Sequence, residues 1–226
     1  GTIDRVLVIG QGTAAVAGQS LAFQLSNLLA DNDIDVDALP ATELSGFQLR
    51  SDMSTTLIVA ISQSGTTTDT NRTVDLARGR GAKVVAIVNR RNSDLTDKAD
   101  GVLYTADGRD VEMSVASTKA FYSQIAAGML LAYGIAAEIP GARTADDPEE
   151  QEVLAALAVL PAVLKATLEV RPQAAEAAQR YAVSRRYWAL VGNGPNIISA
   201  REVRIKLSEL CYKSMACDAT EDKKHI

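Results

Sequence analysis

The segment Thr56-Leu-Ile-Val-Ala-Ile61 and its continuation, Ser62-Gln-Ser-Gly-Thr-Thr67, decide the fold of this chain. A short apolar run rich in β-branched residues predicts a strand buried on both faces, which is typical of a parallel sheet. Residues 67–78 have helical spacing, and Gly79 and Gly81 end that helix. We therefore predict a central strand, a turn rich in hydroxyl groups and a helix in immediate succession.

Further strands and helices precede and follow this unit. Strands are predicted at 5–10, 34–39, 83–88 and 102–104, and helices at 13–29 and 115–136. Strands that alternate with helices indicate βαβ units and a parallel sheet. For residues 1–137 we therefore predict an α/β fold, a doubly wound parallel five-stranded sheet flanked by helices. Ligands of such sheets bind beyond the carboxyl ends of the strands, here after Ile9 and Ile61.

The remainder of the chain is predicted to form two further regions. Residues 138–183 would be a linker and connecting helices, with a helix start at Pro148, a kink at Pro161 and a break near Pro172. From Tyr187 the opening pattern returns, since Leu190-Val-Gly-Asn-Gly194 repeats Val8-Ile-Gly-Gln-Gly12. Residues 184–226 would thus be the N-terminal part of a second, incomplete domain with one strand and one helix.

Composition excludes several classes of protein. Of the 226 residues 47% are hydrophobic, which excludes disorder as the main state, and the net charge of −5 disfavours nucleic acid. The longest apolar stretch, 125–137, is too short to span a bilayer, so no membrane partner is expected. Cys211 and Cys217, expected in one helical segment as free thiols, suit a reducing, cytoplasmic compartment. The expected partners are small molecules or protein subunits.

Two glycine- or serine-rich turns are candidate ligand sites. Residues 62–67, the hydroxyl loop, offer neutral donors at a helix N-terminus, which suits a phosphate monoester; the alternative is a polar helix cap. The loop has no lysine and is not a Walker motif. Gly10-Gln-Gly-Thr-Ala-Ala15 fits the loose dinucleotide fingerprint. We favour the reading in which its glycines bring backbone close to a ligand held mainly by the hydroxyl loop.

Two more groups of polar residues carry potential chemistry. Ser114, Ser117 and Thr118 either cap the long helix or form the floor of a sugar pocket. Lys206 and Glu209 share a helical face, so they form either a surface ion pair or a general base beside a cation. The chain's single histidine, His225, is either an exposed terminal residue or an acid–base group near neutral pH.

The motifs Ser62-Gln-Ser-Gly-x-Thr67 and Val115-Ala-Ser-Thr-Lys-Ala-Phe121 together resemble those of the sugar isomerase (SIS) domain family. Nearly all of the chain resembles, more closely, the isomerase half of the glucosamine-6-phosphate synthases, which are glutamine–fructose-6-phosphate aminotransferases. The resemblance implies that a hexose phosphate, fructose 6-phosphate or glucosamine 6-phosphate, is bound without a cofactor or metal. The substrate-binding residues that it implies are Thr13, Ser62, Gln63, Ser64, Thr67, Val115 and Ser117. Ala14 departs from the family, which has a serine there.

The same resemblance implies catalytic residues and partners. Glu209, paired with Lys206, would shuttle a proton between C1 and C2, and His225 would open the sugar ring across a homodimer interface. The residues before His225 depart from the family motif. An N-terminal glutaminase domain and a C-terminal Schiff-base lysine are implied outside this chain. Two alternatives stay open: a non-catalytic SIS module that senses a phosphosugar, and a nicotinamide-binding domain that rests on residues 10–15 alone.

Overall fold

The main sheet of the protein has five parallel strands in the order β2-β1-β3-β4-β5. The structure is a computed structural model that describes residues 3–106, 112 and 116–225. The strands are β1 (Arg5–Gly10), β2 (Asp35–Pro40), β3 (Thr56–Ser62), β4 (Lys83–Val88) and β5 (Gly101–Tyr104). The predicted doubly wound, five-stranded parallel α/β fold is therefore confirmed.

Helices cover this sheet on both faces because alternate residues of its strands enter two separate cores. The helices of this region are α1 (Thr13–Leu28), α2 (Ala41–Glu43, continued by a π-helical turn over Leu44–Gln48), α3 (Thr68–Arg78), α4 (Asp94–Lys98) and α5 (Lys119–Ala137). Val8 and Val59 pack against α1 and α5 on one face. Ile9 and Ile58 pack against α3 and α4 on the other. The carboxyl ends of β1 and β3 thus meet at one edge, between α1 and α3.

A second, small sheet follows three further helices or helical turns. The elements are α6 (Pro148–Thr167), a 3₁₀ turn (Leu168–Val170), α7 (Arg171–Tyr181), β6 (Ala189–Val191), α8 (Asn196–Cys211), β7 (Ala216–Asp218) and α9 (Thr220–Lys224). β6 and β7 are parallel. β7 was not predicted, and the expectation that Cys211 and Cys217 share a helical segment is wrong, because Cys217 lies in β7 and Cys211 ends α8.

Two predicted helix boundaries are also corrected. α5 begins at Lys119 rather than at 115, and its first turn is capped by a carboxylate from upstream, described below. The predicted start of α6 at Pro148 is confirmed, and the helix runs on through Pro161 to Thr167. α7 begins at Arg171, with Pro172 in its first turn, where the missing N–H of proline leaves no intrahelical bond unmade.

α6 is anchored at its first turn and exposed beyond it. The buried carboxylate of Glu150 accepts hydrogen bonds from Tyr133 Oη at 2.6 Å and Gln24 Nε2 at 3.3 Å. Burial, together with the hydrogen bond to Glu150, raises the pKa of Tyr133, so its phenol stays a donor. Val159 and Val163, further along the helix, are more than half exposed.

Two helical segments among the described residues, α5 and residues 148–181, are long and apolar enough to cross a membrane, so the expectation that the longest apolar stretch is too short to do so is wrong by length and composition. α5 packs against α1 and the sheet, as the core helix of a globular domain does. The second segment includes the exposed apolar side chains of α6.

Candidate functional site

A cleft of about 210 Å³ lies at the edge where the carboxyl ends of β1 and β3 meet. It is lined by Gln11, Gly12, Thr13, Ala14, Ile61, Ser62, Gln63, Ser64, Thr67, Ser117, Gln124 and Glu209. Six of the seven predicted substrate-binding residues and one predicted catalytic residue therefore line a single cavity. The seventh, Val115, lies outside the described residues, as does Ser114.

The hydroxyl loop forms one wall, and its own hydrogen bonds fix its shape. Ser62 Oγ accepts the N–H of Gly65 at 3.0 Å, and Asn71 Nδ2 donates to the Gly65 carbonyl at 3.0 Å. Gly65 has a φ of 67°, and a Cβ there would overlap Ser93 Oγ, so any other residue would strain the backbone and displace Ser93. The N-cap of α3, Thr67, makes no side-chain capping bond, which leaves the first N–H groups of the helix available. The wall presents hydroxyl, amide and backbone donors to the cleft.

The opposite wall joins the start of α1 to the middle of α8. Thr13 Oγ1 donates to Glu202 Oε1 at 3.1 Å. Glu202 is 6% exposed, and burial raises the pKa of its carboxyl although Lys206 and Thr13 favour the charged form. Glu202 is not among the residues predicted from the sequence. Its position four residues before Lys206 is a signal that could have found it, because i,i+4 residues meet on a helix.

An ion pair on α8 ends at the cleft. Lys206 Nζ lies 2.7 Å from Glu209 Oε2 and 3.6 Å from Glu202 Oε1. Glu209 lines the cleft, and Lys206 is not among the lining residues. The predicted pairing of Lys206 with Glu209 is therefore present, and Glu202 makes it a line of three charged groups. Such a line holds the Glu209 carboxylate in place at the cleft wall.

The third wall is the start of α5, where Glu112 provides the cap. Its carboxylate accepts the N–H groups of Thr118 at 2.9 Å and Ala120 at 2.7 Å. Desolvation opposes the charge of Glu112, but these backbone donors prevail and lower the pKa of its carboxyl. Gln63 Nε2 donates to the Glu112 carbonyl and so ties this wall to the hydroxyl loop. The predicted alternative in which Thr118 caps the helix through its own side chain is wrong.

His225 lies at the end of α9 and is exposed. It is not among the residues that line the cleft. Its predicted part in ring opening requires a second subunit and stays a prediction.

The fold and the cleft define a class: doubly wound α/β domains that present neutral donors at the carboxyl edge of the sheet. The sequence profile of the SIS domain family matches residues 2–133. The chain therefore belongs to the SIS domain family.

Named relatives align with almost the whole chain, beyond the residues that the family profile matches. It is 35% identical over 226 residues to the glutamine–fructose-6-phosphate aminotransferase (isomerizing) of Corynebacterium efficiens, covering 99% of this chain and 34% of the relative. It is 33% identical over 222 residues to the enzyme of that name from Thermotoga maritima, covering 98% of this chain and 35% of the relative. The chain thus spans about a third of the length of these relatives.

Two solved structures share the fold. The C-terminal domain of glucosamine-fructose-6-phosphate aminotransferase from Francisella tularensis superposes with a TM-score of 0.85 at 22% identity, covering 99% of this chain and 60% of that one. Glucosamine-6-phosphate deaminase from Thermotoga maritima gives 0.73 at 20% identity, covering 99% and 63%. The chain therefore has the SIS fold and resembles the isomerase domain of the aminotransferases.

Proposed function

We propose that this chain is the sugar-phosphate-binding isomerase part of a glucosamine-6-phosphate synthase-like enzyme, which converts fructose 6-phosphate to glucosamine 6-phosphate. One observation carries the proposal: the hydroxyl loop and the carboxylate of Glu209 line the same cleft. One small cavity therefore contains both donors that can bind a phosphate and a carboxylate that can take a proton from carbon. The names of the relatives at 33–35% identity support the same reaction.

The phosphate end of the ligand is assigned to the hydroxyl loop. Ser62, Ser64, Thr67 and the amide of Gln63 supply neutral donors, and the N-terminus of α3 adds free N–H groups and its positive dipole end. Thr13 and Ser117 line the cleft from the other two walls and donate their hydroxyl protons to Glu202 and Glu112, so toward a ligand their oxygens act as acceptors for sugar hydroxyl groups. The nicotinamide alternative loses support, because Gly12 lines the same cleft as the hydroxyl loop.

The proton transfer is assigned to Glu209. A carboxylate with one oxygen held by Lys206 at 2.7 Å keeps its other oxygen available to a substrate. It would take a proton from one carbon and return it to the neighbouring carbon, which interconverts ketose and aldose forms. The amine for Schiff-base formation with the ketose would come from the lysine that the family resemblance places outside this chain.

The assembly is part of the same proposal. We infer a cytoplasmic homodimer in which His225 reaches the neighbouring subunit's cleft, and the exposed apolar side chains of α6 offer a surface to bury. Residues 1–137 would be the first SIS domain, 138–183 the connecting helices and 184–226 the start of a second SIS domain. A glutaminase domain would supply nitrogen from glutamine. Sedimentation of the intact protein as a monomer at micromolar concentration would contradict the dimer.

Calorimetry tests the binding step. The intact protein, titrated with fructose 6-phosphate and glucose 6-phosphate, should bind at least one of them at millimolar concentration or below. Ser64→Ala should weaken binding, whereas Ser45→Ala, at a partly exposed serine that does not line the cleft, should not. Failure to bind any hexose phosphate would overturn the proposal.

One observation favours a second candidate, a non-catalytic module that senses a phosphosugar. Ala14 presents a methyl group to the cleft where the resembling family has a serine. A sensor would bind the same ligands, so the two candidates separate on turnover. Fructose 6-phosphate with glutamine or ammonia should yield glucosamine 6-phosphate if the enzyme proposal is right, and binding without product would favour the sensor.

A further inference from the structure

Gln124, on α5, is a buried amide that the proposed function has not used. It is 2% exposed and lies at the cleft wall. Its neighbours on the buried face of α5 are mostly apolar: Ala120, Phe121, Gly128, Ala132, Tyr133 and Ala136. Among the described residues, no hydrogen-bond donor reaches its Oε1.

A buried amide oxygen without a donor lowers the stability of the fold unless a ligand supplies the missing hydrogen bond. A buried acceptor without a donor costs about 1–3 kcal/mol, and a leucine of similar volume would pack in the same helix without that cost. Because the side chain lines the cleft, a bound molecule is the nearest source of the missing donor. The position therefore indicates recognition of a group that donates a hydrogen bond.

The two ends of a sugar phosphate differ in whether they can donate a hydrogen bond to Gln124 Oε1. A phosphate dianion offers only acceptors, which an amide oxygen does not bind. A sugar hydroxyl can donate, so it satisfies the unpartnered Oε1 of Gln124. Gln124 should therefore face the hydroxyl-bearing carbons, while the hydroxyl loop holds the phosphate.

We propose that Gln124 is a positioning residue that accepts a hydrogen bond from one hydroxyl group of the bound sugar and so fixes the carbon chain beside Glu209. This inference rests on the proposed function, because it takes the ligand to be a hexose phosphate. It adds a specificity determinant that rejects phosphorylated ligands without a hydroxyl at that position.

The test compares ligands with and without the sugar. Gln124→Leu in the intact protein should lower affinity for the hexose 6-phosphate that wild type binds by roughly tenfold, the usual worth of one hydrogen bond. Affinity for inorganic phosphate should not change, because the hydroxyl loop is intact. Gln24→Leu removes a partly buried amide outside the cleft and should change neither affinity.

A ligand series supplies the second measurement. Monodeoxy hexose 6-phosphates should include one that wild type binds about tenfold more weakly, and Gln124→Leu should not distinguish that analogue from the parent sugar. Equal losses for sugar phosphate and inorganic phosphate would mean that Gln124 only supports the loop, and the inference would be wrong; unchanged affinity for both would overturn it too. If Gln124→Leu fails to fold, the same affinities are measured with Gln124→Met, and wild type is titrated with the monodeoxy hexose 6-phosphates. If wild type binds every monodeoxy analogue as tightly as the parent sugar phosphate, the inference is wrong. If wild type itself binds no hexose phosphate, it is the proposed function that fails.

Discussion

The chain contains the same βα turn twice, and the two copies differ in their surroundings. A Cβ on Gly10 would lie 2.8 Å from the backbone of Ala14, and one on Gly192 would lie 2.6 Å from the carbonyl oxygen of Asn196. Gly12 and Gly194, two residues later, have φ values of 56° and 52°. The repeat seen in the sequence is therefore a repeat of backbone geometry.

The two copies differ in their neighbouring strands and in what they contribute to the cleft. β1 has strand neighbours on both sides and is buried throughout. Within the described part of the chain, β6 pairs with β7 alone and leaves Val191 47% exposed. The first copy contributes its turn to the cleft. The second contributes Glu209 from the last turn of its helix, α8, which reaches the cleft by packing on α1, through Thr13–Glu202 and Gln19–Arg201. The geometry of a βα turn therefore does not by itself locate the site.

The largest effect expected is loss of turnover when the second copy loses its carboxylate. Glu209→Gln in the intact enzyme should lower turnover by roughly two to four orders of magnitude, the usual worth of a positioned acid–base group, with substrate binding preserved. Glu221→Gln is the matched control, since Glu221 also pairs with a lysine three residues away at 2.7 Å but lies outside the cleft. Turnover near the wild-type level in Glu209→Gln would contradict the assignment of Glu209 as the base.

The next largest effect separates the two glycine turns by stability. Gly10→Ala pushes a methyl group into the backbone of a buried unit and should cost roughly 2–3 kcal/mol, as overpacking does. Gly192→Ala makes a similar clash. Because β6 pairs with β7 alone in the described part of the chain, it can shift to relieve the clash, so we expect about half the loss of stability of Gly10→Ala. Gly46→Ala, with nothing within 4 Å of its Cβ, is the control. Urea unfolding gives the free energy of unfolding of all three variants. Equal losses for Gly10→Ala and Gly192→Ala would mean that the two turns do not differ in how rigidly their surroundings hold them.

A smaller effect is expected at the contact that joins the two copies. Thr13→Val keeps the shape but removes the hydrogen bond to Glu202, so it should destabilise by about 1 kcal/mol. Thr13→Ser keeps the hydroxyl and should be close to wild type. The measurement is chemical denaturation at neutral pH. A cost for serine as large as that for valine would mean that the methyl group, not the hydrogen bond, matters.

The smallest effect is a difference in pH dependence between two carboxyls. Glu112 has a lowered pKa, so its stabilising contribution is present above the ordinary carboxyl pKa and is lost as the pH falls through the folded value. Glu202 has a raised pKa, so the protein loses stability as the pH rises from the ordinary value through the folded one. Glu112→Gln should therefore destabilise at neutral pH, by about 1 kcal/mol for a helix cap, and much less in acid.

Denaturation curves of Glu112→Gln and Glu202→Gln between pH 3 and 7 check this opposition. Glu202→Gln should flatten the loss of stability that accompanies rising pH, and Glu112→Gln should flatten the loss that accompanies falling pH. Parallel curves for both variants would contradict the assigned directions.

The sequence predicted the five-stranded sheet because its strands are short apolar runs between turn residues. β7 escaped prediction because Ala216-Cys-Asp218 is three residues long and has neither alternation nor β-branched side chains. Glu202 and Gln124 escaped for a different reason. A glutamate on a helix with several charges looks solvated, and one glutamine in an apolar helix looks incidental. Only the packing of α8 on α1, and of α5 beside the cleft, gives these side chains their buried positions.

The described part of the cleft wall contains no lysine or arginine beside the hydroxyl loop. A pocket that holds an anion through neutral donors gains little from long-range Coulomb attraction, so dissolved ions have little to screen. Its affinity for a phosphorylated ligand should depend weakly on ionic strength, unlike that of an arginine-lined pocket. Ligand capture would also proceed without electrostatic steering, at the ordinary rate of diffusional encounter. Selectivity in this cleft is therefore set by geometry at short range.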